Sequence, residues 1–329
     1  MLATRSLNRR NVLAVIASLV LAACAAAGQP GGPWSRGAPM PTARSELASA
    51  ALDGRVYVVG GIAQFGATTA FAVYDPRADA WEELPPLPED LHHLGAAAAA
   101  GRVYVTGGYA DIAFSELSPR TWAYDPGARR WTQAADMPAP RAAHTMAAIG
   151  DRLYVAGGVG PRFEELWLCD PATDRWDASG AQLPTPREHL AAAVIDGKLH
   201  VIGGRGYGAG NRATLEIYDP AADAWEQAPD VPTARSGLSA AVLDGRLHVT
   251  GGEDLDSGTT FAEHEVYDPA SDRWTTLAPM PTARHGLTSQ AVADRWYVIG
   301  GGTRAGAMTF ISLTDLVEVF EPEQRGGPD

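Results

Sequence analysis

The amino-acid sequence predicts an all-β fold, a β-propeller of six blades with four antiparallel strands in each blade. A glycine pair recurs six times along the 329 residues. Its intervals are about 50 residues, a period typical of propellers. The same strand and turn signals stand in the same order around every pair. The 36 glycines and 24 prolines also suit many short strands joined by tight turns.

Each repeat carries the signals of four strands in order. The first strand is small and apolar, as in residues 47–51, and a hairpin turn such as Asp53-Gly54 follows it. The second strand ends at the glycine pair, the third ends in an Asp-Pro turn, and the fourth begins at a tryptophan. Helix propensity alone favours a helix over Gly95–Ala100, but its register with the other first strands predicts a strand. The glycine pairs stand at positions 60–61, 107–108, 157–158, 203–204, 251–252 and 300–301.

The sixth repeat lacks a fourth strand, because no tryptophan follows Pro322. The matching segment stands at the other end of the repeat array, where Trp34–Pro41 resembles Trp274–Pro281 and both end in Ala-Pro-Met-Pro. We therefore expect the N-terminal strand to complete the last blade, which removes two exposed strand edges. Residues 34–322 then form one closed propeller, and residues 323–329 form a C-terminal tail.

This repeat resembles the kelch family from Trp34 to Pro322, since the copies carry the glycine pair, the aromatic-Asp-Pro turn and the tryptophan in one order, with a degraded Phe320-Glu321-Pro322 turn in the sixth. Two departures are local: Cys169 replaces the aromatic residue before one Asp-Pro turn, and Leu91 replaces a repeated arginine. The resemblance implies a six-bladed kelch-type β-propeller. It also implies a ligand site at one mouth of the ring, built from the loops before the first strands and after the second strands.

The first 23 residues are predicted to be a signal peptide, because arginines precede the apolar run Val12–Ala23. This run is too short to span a bilayer permanently. Leu21–Cys24 resembles the lipobox of bacterial lipoproteins, which implies a lipid on Cys24, and the small, Gly- and Pro-containing residues that follow predict a flexible tether over residues 24–33. Cleavage by an ordinary signal peptidase near Ala25–Ala27 stays open, as does Sec versus twin-arginine export. We expect a protein of the bacterial cell envelope, lipid-anchored or periplasmic.

The charge balance argues against nucleic-acid binding. The formal net charge is −13, with 39 acidic and 26 basic residues. Signal-peptide removal takes away three arginines and no acid, so the exported body is more acidic still. The two cysteines form no C-x-x-C pair, and the histidines show no metal-binding spacing. We therefore expect no metal, no cofactor and a monomer that meets the membrane only through its lipid anchor.

The candidate ligand-binding residues flank the first strands and the glycine pairs. Repeated arginines before the first strands would gather positive charge at one mouth, which suits carboxylates through bidentate contacts. The expected partner is thus a protein or an anionic or polar small molecule, such as an acidic sugar. A purely structural role of each arginine, as a strut between blades, stays open. The candidates are Arg44, Glu46, His93, His144, Arg187, Glu188, His189, Arg205, Arg235, Arg284 and His285.

Two function classes follow from this pattern and its resemblance. The first is a non-catalytic kelch-repeat binding module tethered at the cell envelope. The alternative is a periplasmic sugar mutarotase or epimerase of the sialic acid type, in which Glu46, Glu188, His189 and Arg205 would supply the acid–base groups. Kelch-type copper oxidases need a cysteine cross-linked to a tyrosine at the mouth. The only candidate here, Cys169, is predicted to lie on a strand, which argues against a copper oxidase.

Overall fold

The computed structural model of the chain describes residues 32–208 and 210–322. The predicted signal peptide, Cys24, most of the tether and the C-terminal tail lie outside these residues. Within the described ranges, no helix is long and apolar enough to cross a membrane. The described residues form six antiparallel sheets with four strands in the main path of each, and one small two-stranded sheet. The fold prediction is therefore confirmed.

The first strands are innermost, because each contacts the first strands of both neighbouring blades around the ring. The first strands are Ala48–Leu52, Gly95–Ala99, Thr145–Ile149, Ala191–Ile195, Ser236–Leu243 and Thr288–Val292. The second strands are Arg55–Val59, Arg102–Thr106, Arg152–Ala156, Lys198–Ile202, Arg246–Asp254 and Arg295–Ile299. The third strands are Phe71–Asp75, Thr121–Asp125, Trp167–Asp170, Leu215–Asp219, His264–Asp268 and Val317–Phe320. The outermost, fourth strands are Ala80–Glu83, Arg130–Ala134, Arg175–Ala178, Ala224–Ala228, Arg273–Leu277 and Trp34–Arg36.

The loops after the second strands carry the remaining short elements. Ile62–Ala63 pairs with Gly66–Ala67 in blade 1, and Thr259–Thr260 pairs with the end of the long second strand of blade 5. A 3₁₀ helix spans Gly306–Ile311 in blade 6. These loops make the end of the ring that holds the candidate site.

Blade 6 is closed by the N-terminal strand, as predicted. Trp34–Arg36 pairs antiparallel with Val317–Phe320, with Trp34 opposite Phe320. The indole of Trp34 packs against Trp296 and Phe320, at ring-centroid distances of 5.9 and 5.3 Å. Its Nε1 donates to the carbonyl oxygen of Ala278 at 2.9 Å, at the end of blade 5. Closure therefore joins the two ends of the propeller by strand pairing and by a link to the preceding blade.

The glycine pairs allow neighbouring blades to approach closely. Gly60 has a φ of 62°, a left-handed conformation that favours glycine. A Cβ on Gly60 would lie 2.6 Å from the carbonyl oxygen of Leu91, where the chain enters blade 2. Gly61 then donates its N–H to that carbonyl at 2.8 Å. The repeat thus needs glycine here for backbone conformation and for space.

A closed circle of six backbone hydrogen bonds surrounds the central axis. Each blade contributes one residue, which lies two positions after the repeated arginine, or after Leu91 in blade 2. This residue donates its N–H to the carbonyl of its counterpart in the preceding blade, over 2.7–2.9 Å. All six have left-handed backbone, with φ between 51° and 63°. In chain order the circle contains Glu46, His93, Ala143, His189, Gly237 and Gly286. We call this circle the axial ring.

Candidate functional site

A cavity of about 610 Å³ lies above the axial ring, at the mouth that the sequence predicted. Its wall is formed by three residues of the axial ring, Glu46, His93 and His189, and by the loops after the second strands. Six of the eleven candidate residues line it: Glu46, His93, Glu188, His189, Arg205 and His285. The structure thus brings together acids, imidazoles and one guanidinium from four blades.

Arg205 joins two glutamates across the cavity wall. Residues 188 and 205 face each other as an antiparallel pair, with backbone N–H to carbonyl distances of 3.0 and 2.9 Å. Arg205 Nε donates to Glu188 Oε1, and Arg205 Nη1 donates to Glu253 Oε1 at 2.8 Å. Burial alone would lower the pKa of Arg205, but Glu188 and Glu253 outweigh it and raise the pKa. Burial likewise opposes ionisation of Glu188, yet His189 and Arg205 outweigh it and lower its pKa.

His93 stands at the end of a chain of hydrogen-bonded groups. His92 Nε2 lies 2.9 Å from the carbonyl oxygen of Asp111, and the two Nδ1 atoms of His92 and His93 lie 2.5 Å apart. Tyr109 and Phe114 pack against both imidazoles, with ring centroids 5.1–5.9 Å away. Burial, reinforced by His189 and His92, lowers the pKa of His93 well below its usual range. The imidazole of His93 is therefore neutral and held in one orientation.

The prediction that the repeated arginines line the mouth is wrong, because none of them lines the cavity. Arg44, Arg187, Arg235 and Arg284 are buried, and each donates hydrogen bonds to groups within its own blade. Arg187, for example, donates to the carbonyls of Gly203 and Val201 and forms a 2.5 Å ion pair with Glu216. These arginines connect the strands of one blade and do not bridge neighbouring blades through their guanidinium groups.

His144 was also expected to line the mouth, and this prediction is wrong, because His144 lies outside the mouth cavity. It lines a void of about 90 Å³ next to the axial ring, at a position that leucine occupies in the other five blades. Its Nε2 lies 3.1 Å from Thr106 Oγ1, and its buried Nδ1 has no hydrogen-bond partner in the described part of the chain. Burial, with a smaller contribution from Arg141, lowers its pKa to about 3.

The sign of the cavity's charge differs from the sequence expectation. In the described part of the chain, five carboxylates line the cavity and Arg205 is its single guanidinium. The carboxylates belong to Glu46, Glu188, Glu253, Asp254 and Asp256. Because the other arginines are buried elsewhere, the cavity suits a cationic group better than an anion. The Gly-Gly-Glu-Asp run at the end of the fifth second strand was the available signal for Glu253 and Asp254.

Exposed apolar side chains lie on the loops at this end of the ring, and three of them, Phe114, Tyr207 and Leu255, line the cavity. Eight large apolar residues are exposed in the described chain, and seven belong to the loops after the second strands. We call these seven the apolar rim: Phe65, Ile112, Phe114, Tyr207, Leu255, Met308 and Ile311. The eighth, Leu277, lies at the end of an outermost strand. Cys169 takes no part in the site, because it is buried on a third strand and burial, with Asp174 and Asp170, raises its pKa to about 12.

Comparisons with known proteins agree with this architecture. Residues 32–158 and 134–301 match the KLHDC2/KLHL20/DRC7 Kelch-repeats domain. A segment of 67 residues, 20% of this chain, is 36% identical to 17% of the F-box/kelch-repeat protein At1g16250 of Arabidopsis thaliana. Another of 73 residues, 22% of this chain, is 32% identical to 12% of Kelch-like protein 35 of Mus musculus. The matched segments thus span less than a fifth of the length of these relatives.

A solved structure extends the similarity to most of the chain. The structure of YjhT superposes with a TM-score of 0.73 at 19% sequence identity. The superposition covers 87% of this chain and 100% of the other. At this level of identity, the similarity concerns the fold alone.

Proposed function

This chain belongs to the kelch-repeat family, and we propose that it is a non-catalytic binding module tethered at the cell envelope, with its partner docked on the cavity mouth. The observation that carries the proposal is the apolar rim. Exposed apolar patches bordered by polar groups are typical of protein–protein contact sites. In the described part of the chain, only Leu277 among exposed large apolar residues lies elsewhere. The partner we propose is therefore a protein.

The cavity inside the rim defines the chemistry of that partner. Its carboxylates outnumber its one guanidinium among the described residues. Buried centres of interfaces favour a projecting anchor side chain, often arginine, with apolar contacts around it. We propose a partner segment that inserts a basic side chain into the cavity and lays apolar residues on the rim. An anionic ligand is no longer favoured, because the expected arginines are buried inside the blades.

The tether is proposed from the sequence alone. The lipobox-like Leu21–Cys24 after an apolar run supports lipidation, and the Gly- and Pro-containing stretch up to residue 33 supports a flexible link. Intact mass of the protein extracted from membranes tests this proposal. We expect a mature chain that begins at Cys24 and carries acyl mass. A mature N-terminus beyond Cys24 with no acyl mass would contradict it.

Site-specific photocrosslinking in the producing cells tests the docking surface. A photoreactive amino acid replaces Tyr207 on the rim, and in a matched control it replaces Leu277 on the outer edge of blade 5. We expect one discrete protein adduct at position 207 and none at position 277. Glu253→Gln should weaken the adduct, because it removes a cavity carboxylate. Equal adducts at both positions, or none at the rim, would contradict the proposal.

The catalytic alternative receives no further support. The acid–base groups it requires are present in the cavity, but Glu188 and Arg205 bond to each other and Arg205 also bonds Glu253. No observation favours turnover of a sugar over binding, so the mutarotase is not proposed.

A further inference from the structure

Three side chains from three different blades converge at the floor of the cavity. Glu46, His93 and His189 each offer one ligand atom, and these atoms lie within 4.8 Å of one another. All three residues belong to the axial ring, so hydrogen-bonded backbone fixes the point from which each side chain starts. Two imidazoles and one carboxylate are a donor set that suits zinc and other first-row divalent ions.

The hydrogen bonds behind His93 leave one of its nitrogens without a proton. A carbonyl oxygen can only accept, so His92 Nε2 donates to Asp111 over 2.9 Å. In the neutral ring, His92 Nδ1 then accepts, and His93 Nδ1 donates to it over 2.5 Å. The remaining lone pair, on His93 Nε2, faces Glu46 Oε2 at 3.3 Å. Two acceptors face each other there, and a cation between them would satisfy both.

His285 shows the same arrangement on the other side of Glu46. Its Nε2 lies 2.9 Å from the carbonyl oxygen of Arg304, so this nitrogen donates. Its Nδ1 faces Glu253 Oε2 at 3.1 Å and Glu46 Oε1 at 3.6 Å. The carboxylate of Glu46 therefore lies between the imidazoles of His93 and His285. A backbone carbonyl holds Nε2 of His285, as a fixed acceptor holds the second nitrogen of metal-binding histidines.

The local charges also favour a divalent cation. Arg205 pairs with Glu188 and Glu253, and its Nη2 also lies 3.2 Å from both ring nitrogens of His189. Three glutamates, Glu46, Glu188 and Glu253, stand here against this one guanidinium. Within the described ranges, Glu46 has no arginine or lysine partner. It is therefore the carboxylate that a bound ion would engage.

We propose that Glu46, His93 and His189 bind one divalent first-row metal ion, with zinc as the expected occupant, and that His92 is a positioning residue for His93. This site reverses the sequence expectation of no metal, because its ligands come from three blades and show no local spacing. The site goes beyond the proposed function, since a metal at the cavity floor requires no partner at the rim.

Zinc titration of the full-length chain after chelator dialysis tests the site, with a chromophoric zinc chelator as competitor. We expect one zinc ion per chain, and cobalt should give visible d–d absorption. Glu46→Gln, His93→Gln and His189→Gln should each weaken zinc binding at least 10-fold. His92→Gln should weaken it by about 10- to 100-fold, the range for outer-shell partners. His200→Gln is the control, because it removes a buried histidine outside the cavity, and it should leave the affinity for zinc unchanged. All variants keep both cysteines.

A pair of glycine variants separates ligand geometry from folding. A Cβ on Gly286 would overlap Glu46 Oε1, whereas the nearest atom to a Cβ on Gly237 lies 3.5 Å away. Both glycines occupy the axial ring, with φ of 58° and 63°. Gly286→Ala should therefore weaken zinc binding at least 10-fold, while Gly237→Ala, with similar backbone strain, should retain it.

Two results would overturn the metal site. One is the absence of stoichiometric zinc binding in the wild type, which would mean that protons satisfy the facing acceptors. The other is a zinc affinity in the Glu46, His93 and His189 variants that equals the affinity of the wild type. Neither result bears on the photocrosslink at Tyr207, so the site and the partner proposal can fail independently.

Discussion

Replacing Arg187 by methionine tests the role of the buried arginines. The side chains of Arg187 and Glu216 are 0% and 4% exposed, and they form a 2.5 Å ion pair. Methionine keeps much of the apolar volume but leaves Glu216 as a buried charge without its partner. Such a loss costs about 3–5 kcal/mol. We expect the free energy of unfolding to fall by that amount, measured by urea denaturation with tryptophan fluorescence.

Arg44→Met is the matched control. Arg44 is equally buried and donates to the carbonyls of Gly60 and Ala70 at 2.7 and 2.9 Å, but Ala72 stands where blade 4 has Glu216. Burial lowers the pKa of Arg44 to about 10, so it is still charged at neutral pH. Its replacement leaves only acceptors without donors, which costs about 1–3 kcal/mol. The difference between the two variants isolates the orphaned carboxylate.

A double-mutant cycle completes the test. Removing both partners, in Arg187→Met combined with Glu216→Leu, leaves no uncompensated charge. The double variant should therefore lose at least about 2 kcal/mol less than the sum of the single losses, since exchange of a buried pair for apolar residues is often near neutral. Additive losses, or an Arg187→Met cost no larger than that of Arg44→Met, would refute the reasoning.

Three further predictions concern the axial ring, its inner void and the closure of the propeller. In His144 the folded pKa is about 3, below the unfolded value of about 6.5, so the unfolded state takes up a proton first. Stability should then fall as pH drops from 6.5 towards 3, and His144→Leu should flatten that dependence in urea titrations at several pH values; parallel curves would contradict this. Ala143→Gly should raise stability by about 0.5–1 kcal/mol, because relief of left-handed strain outweighs the entropy cost of glycine; a loss would show that the alanine is not strained. Deleting Trp34–Pro41 should lower the melting temperature far more than deleting residues 323–329, because it removes the strand that closes blade 6; equal melting temperatures would contradict closure.

The fold was predictable because its signals repeat. A glycine pair, an Asp-Pro turn and a tryptophan recur at matching positions, so a weak signal in one blade is supported by five others. The tryptophan also has a shared role that sequence did not reveal. Trp131 Nε1, for example, donates to the carbonyl of Pro85 in the preceding blade at 2.9 Å, and Trp176 bonds Ala135 likewise. Such links between blades require the register of two sheets, which no single repeat contains.

The candidate site was predictable in place but not in charge. The arginines were expected at the mouth because their position before the first strand lies near it. Their side chains turn inward instead, since Glu216, Glu265 and Glu318 stand on the third strands of blades 4, 5 and 6 within ion-pair distance. The recurrence of glutamate at one third-strand position, in blades that also carry the arginine, was the signal for this. The convergence of Glu46, His93 and His189 had no counterpart in local spacing.

The axial ring shows why the candidate ligands are precisely oriented despite their place in loops. Four of its six members are not glycine, although an L-residue in left-handed backbone costs about 1–2 kcal/mol. Ala143 shows that this strain occurs without a polar side chain, so strain alone does not identify a ligand. At the other three positions the strained backbone directs an acid or an imidazole to one point. Because the circle of hydrogen bonds sets all three directions together, binding at that point should depend on the ring as a unit. A change at Gly286, which adds only a methyl group beside Glu46, should therefore disturb a ligand set whose members all remain present.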